Sequence, residues 1–151
     1  MKILKNSTQK DKDKKKIAKI QAKTVADKGT IEEYFYMVPI EVNVSQMAEV
    51  IRSVTEDAKE IWTELDLMEI MLSSDSLVFE NMLDTFEEPT DQAFLAAKGV
   101  KAVYAVNYNT KDREAVKQIL SELYDVFGGF MASDTEDLEP IFEVYEYDDF
   151  N

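Results

Sequence analysis

Apolar residues alternate with polar ones over some short stretches of the chain and recur at helical spacing over others, the pattern of an α+β domain. Residues 34–42 are aromatic and β-branched and predict a first strand, which Pro39 confines to an edge, an end or a bulge. Asn43 or Ser45 offers an N-cap, with Gln46 three residues after Asn43 as in a capping box. Met47, Val50, Ile51, Val54, Ala58, Ile61 and Trp62 then share one face at helical spacing, so a long first helix reaching Trp62 is expected. Residues 65–72 are almost wholly apolar and fit either period; they are read as a strand, turning at residues 73–76 into a return strand over 77–82. A loop over residues 84–90 and a short helix over 91–98, ended by Gly99, follow.

The clearest unit comes next. Residues 101–108 alternate as a strand, and Thr110 is placed to cap a helix whose positive first turn would favour Asp112 and Glu114. Val116, Ile119, Leu120, Leu123, Val126 and Phe127 form its apolar face, and Gly128 with Gly129 suits a left-handed cap before a strand over 130–133. A β-α-β crossover is expected, right-handed if its strands run parallel. Residues 141–147 alternate again and predict a last strand with one wet face. The expected fold is thus a mixed sheet of about five strands with two long helices and one short helix. It forms a single acidic domain over residues 29–151, preceded by a basic tail or helix over residues 1–28.

Composition supports independent folding: 151 residues, 45% of them hydrophobic with only four Gly and three Pro, can bury a core without staples. The same composition narrows the chemistry. With no Cys and no His there is no disulfide, thiolate nucleophile, imidazole base or thiolate or imidazole metal site. No cofactor is expected. The polar stretch 6–16 stands where a secretory signal needs an apolar core, and the apolar run 102–106 is far below the roughly 20 residues of a bilayer-spanning helix. A cytoplasmic protein without a membrane span is expected.

Charge adds the feature that composition alone hides. The formal net charge of −14 divides into +7 over residues 1–28, with ten Lys and three acids, and −21 over residues 29–151. Residues 60–97 carry ten carboxylates and no basic side chain, and residues 118–151 repeat that count. Such a surface can serve solubility, or it can steer a basic partner by complementary potential. Direct binding of nucleic acid by the acidic body is disfavoured, because approaching phosphates would reverse the counterion-release gain. The Lys-rich stretch 10–19 has neither an aromatic residue for stacking nor an Arg for bidentate contact, and reads as a solvated tail.

The candidate partner-binding residues are carboxylates in the basic-free segments: Glu87, Glu88, Asp134, Glu136, Asp137, Glu139, Asp148 and Asp149. Asp134, Glu136, Asp137 and Glu139 also invite a cation-loop reading, but Glu139 stands where an EF-hand loop begun at Asp134 needs glycine, so no metal site is expected. No catalytic residue is assigned. Gly128 and Gly129 lack the spaced glycines and Lys-Ser/Thr of a phosphate loop. Trp62 and the run Tyr34, Phe35, Tyr36 are candidate anchors, though such patterned aromatics usually build the core.

Residues 116–144 contain a helix, then Phe127-Gly128-Gly129-Phe130, Ser133-Asp134 and Pro140-Ile141-Phe142. That stretch resembles the end of some bacterial polymorphic-toxin immunity proteins, which are small, acidic, cytoplasmic and single-domain. The resemblance covers about a fifth of the chain and implies inhibition of one cognate toxin, often a nuclease. The basic head departs from that pattern. Two other readings compete: a nucleic-acid mimic of the antirestriction or anti-defence type, and a magnesium-dependent hydrolase using Asp134, Glu136 and Asp137.

Overall fold

Strand β1 (Ile31–Val38) ends immediately before Pro39, whose missing N–H cannot continue a ladder. The computed structural model describes residues 29–144. The tail read over 1–28, the last strand beyond 144, Asp148 and Asp149 lie outside the described residues. From Ile31 the described residues belong to one compact unit. Its elements are β1, α1 (Val44–Val50), β2 (Lys59–Trp62), β3 (Leu67–Met71), β4 (Ser76–Asn81), α2 (Pro89–Lys98), β5 (Ala102–Asn109), α3 (Arg113–Phe127), β6 (Phe130–Ser133) and β7 (Ile141–Phe142). Seven strands form one sheet in the order β2-β3-β4-β5-β1-β6-β7, every neighbouring pair antiparallel.

The α+β class stands, but the sheet is antiparallel and seven-stranded where a mixed sheet of five was expected. Strands β5 and β6 do run parallel to each other, as the crossover pattern suggested. They are not neighbours, because β1 lies between them and pairs antiparallel with both. Among the described residues one long helix, α3, stands where two were expected. The capping box forms as read, with Asn43 Oδ1 accepting from Gln46 N and Gln46 Oε1 from Asn43 N, both at 2.9 Å. Helix α1 nevertheless stops at Val50, and Ile61 and Trp62 pair with Met68 and Leu67 in a strand. The apolar side chains after Val50 still reach the core: Val54 and Ile61 pack against it from extended or irregular backbone.

Alternation sorts the sheet into two faces. On one, Tyr36, Val38, Met68, Ile70, Leu77, Phe79, Tyr104, Val106 and Met131 join Met47 and Ile51 from α1 with Val116, Ile119, Leu120 and Leu123 from α3 in the main core. On the other, Phe35 meets Phe86 edge-on at 5.3 Å and Phe130 meets Phe94 at 6.5 Å, so the segment holding α2 crosses β1 and β6 there. Gly129 is required at the end of α3. An added Cβ would collide with the Met37 carbonyl oxygen and lie 3.0 Å from the Tyr36 ring, at a φ of +96° that side chains resist. Gly128 has positive φ but a ψ of −147°, so the helix ends outside the left-handed cap that the glycine pair suggested. Thr110 is likewise not the cap, since Asn109 Oδ1 accepts from Lys111 N at 2.9 Å and a 3-10 turn (Thr110–Asp112) feeds α3.

Candidate acidic interface

Carboxylates in this fold divide by what they touch. One group is consumed by the structure. Asp66, in the left-handed region that Asp tolerates (φ 49°), accepts from Val44 N at 2.9 Å, the Asn81 amide at 2.7 Å and the Tyr104 hydroxyl at 2.5 Å. It thereby ties the start of α1 to β4 and β5. Burial, the bond to Asp66 and its negative charge all push the Tyr104 phenol above its ordinary range, opposed by Asn81. Asp112, expected to serve the dipole of α3, is instead 5% exposed and accepts from Ser74 N and Asp75 N, closing the β3–β4 turn. Glu32 takes a 2.8 Å ion pair from Arg113 and a 2.7 Å bond from the Tyr108 hydroxyl.

Glu122 on α3 gathers the loop after α1. Its carboxylate accepts from Arg52 N, Ser53 N, the Ser53 hydroxyl and the Gln118 amide. Partial burial pushes this carboxyl up, but the bonds from Ser53, Gln118 and Arg52 outweigh it and hold it below the ordinary glutamate range.

A second group of carboxylates faces solvent. Glu87 and Glu88 are exposed at the entry to α2, where Pro89 occupies the first turn and Asp91 lies near the positive end of the helix dipole. The entry is anchored because Phe86 is buried against Phe35 and its carbonyl accepts from the Gln92 amide. Asp134, Glu136, Asp137 and Glu139 are exposed in the loop between β6 and β7. That loop is built rather than loose: Ser133 N and Oγ both donate to the Pro140 carbonyl, at 3.2 and 2.9 Å, and Leu138 is buried beneath it. Asp137 is partly spent inside the loop, accepting from the Thr135 hydroxyl at 3.2 Å and Glu139 N at 3.1 Å. Asp134, Glu136 and Glu139 are left turned outward.

Phe86 sits over Phe35, whose cross-strand partner is Ala132, and Phe94 sits over Phe130. The chain from Phe86 to Phe94 therefore passes from β1 to β6, with Phe86 level with Ala132 and Phe94 level with Phe130 along the strands. Among the described residues no group of three or more carboxylates is arranged to hold a metal ion, so Asp134, Glu136 and Asp137 do not form a set.

Four further carboxylates belong to the same face of the sheet and escaped the sequence reading. Register places Glu60, Glu69, Val78, Asn107 and Glu33 in one row across β2, β3, β4, β5 and β1, on the face opposite the main core. Glu80, only 5% exposed, stands in the next row opposite Leu67 and Ala105. Strand alternation gave each of these side chains a face. What it could not give was the strand order that sets them side by side. Trp62 joins that face at its edge, half-buried and opposite Leu67.

Among the described residues no helix is long and apolar enough to cross a membrane. The chain matches no protein-family model, no curated protein and no solved structure.

Proposed function

We propose that this chain is a non-catalytic binding protein of the cytoplasm whose acidic surface engages a basic protein, as an immunity protein occludes its cognate toxin. One observation carries the reading: the carboxylates Glu87, Glu88, Asp134, Glu136 and Glu139 are exposed on anchored backbone, inside two segments that contain no basic side chain. Fixed, clustered negative charge raises the rate at which a positively charged surface docks and penalises neutral or acidic competitors. The anchoring by Phe86 and Leu138 matters because a preorganised surface loses less entropy on association than a mobile one. A basic nuclease is the partner class that fits, since a cleft made positive to bind phosphates is complementary to this negative surface.

The test is paired affinity capture from the source cell, with the wild-type chain and a variant carrying Glu87→Gln, Glu88→Gln, Asp134→Asn, Glu136→Gln and Glu139→Gln. The wild type should retain one basic protein, inhibit its activity, and lose it in the variant. A wild-type chain that retains no protein, or a variant that retains the same one equally well, would contradict the proposal.

A further inference from the structure

We draw no further inference here: the strongest candidate, the uncharged outer face of α2 formed by Ala93, Ala96 and Ala97 beside Glu87, Glu88 and Asp91, is a stripe of small residues bordering the acidic surface already described, and nothing in the structure shows what covers it.

Discussion

Single side chains carry much of the order in this domain, and the acids among them are more than surface charge. Asp66 is the clearest case: one carboxylate satisfies an orphan helix N–H, an amide and a phenol from three different elements. Asp66→Ala should lower stability by about 2 kcal/mol or more, because the buried Val44 N–H and Tyr104 hydroxyl and the half-buried Asn81 amide keep their desolvation cost without their acceptor. Chemical denaturation would measure it, and a loss below about 0.5 kcal/mol, the scale of an ordinary surface change, would show that the network is incidental. Glu122 gives a pH-dependent counterpart. Its carboxyl lies lower in the folded chain than in the unfolded one, so its stabilisation is present above the unfolded value of about 4.3 and lost as pH falls through the folded one. Glu122→Gln should therefore be less stable than wild type at neutral pH and should converge with it in acid. A deficit that persisted unchanged in strong acid, once the carboxyl is protonated in both states, would mean that the glutamate acts through packing and not through its charge.

At the scale of elements, the boundary between α1 and β2 shows what was legible in the sequence and what was not. Apolar residues from Met47 to Trp62 keep helical spacing, yet the helix ends at Val50. The reason lies in a residue whose partners are distant in kind and not in number: Lys59, its side chain 2% exposed, donates to the carbonyls of Ala48 and Ile51 at 2.8 and 2.7 Å. The ammonium adds to the single 3.3 Å cap bond from Ile51 N to the Ala48 carbonyl and gives the Ile51 carbonyl a donor. Beyond it the chain gains more by pairing Ile61 and Trp62 with β3 than by another helical turn. Lys59→Met preserves the buried stem but removes the donors, and should cost about 1–3 kcal/mol. Loss of helical signal with unchanged stability would contradict this capping role, as would no change in either. The exposed pair to Glu56 adds little to that figure, since the carboxylate is solvated.

Other elements were readable because their causes are local. Alternation found β5, the turn at residues 73–76 set off β4, the glycine pair preceded β6, and Gly99 marked the end of α2 by a left-handed conformation that its φ of +68° confirms. Sheet order was not readable: β1 lies between β5 and β6 although both follow it by over sixty residues. The same limit governed the site. Glu87, Glu88 and the 134–139 loop could be chosen as exposed acids from composition and turn residues, whereas the row of Glu33, Glu60 and Glu69 exists only once four strand pairings are known.

Over the whole molecule, the −21 charge of residues 29–151 is not evenly available for recognition. Asp66, Asp112 and Glu122 are bound to backbone or side-chain donors, while Glu87, Glu88, Asp134, Glu136 and Glu139 remain exposed on anchored segments. Under the proposed function, recognition would draw on acids that folding does not use, which predicts that the second set can be neutralised without unfolding the domain. The most direct measurement is the association rate of the captured partner with wild-type and five-fold neutralised chains over a range of ionic strength, after equal melting temperatures have verified folding. The wild-type rate should fall steeply with salt, and neutralisation should slow it about tenfold or more at low salt and flatten that dependence. Equal rates and equal salt slopes for the two chains would contradict an interface built on these carboxylates.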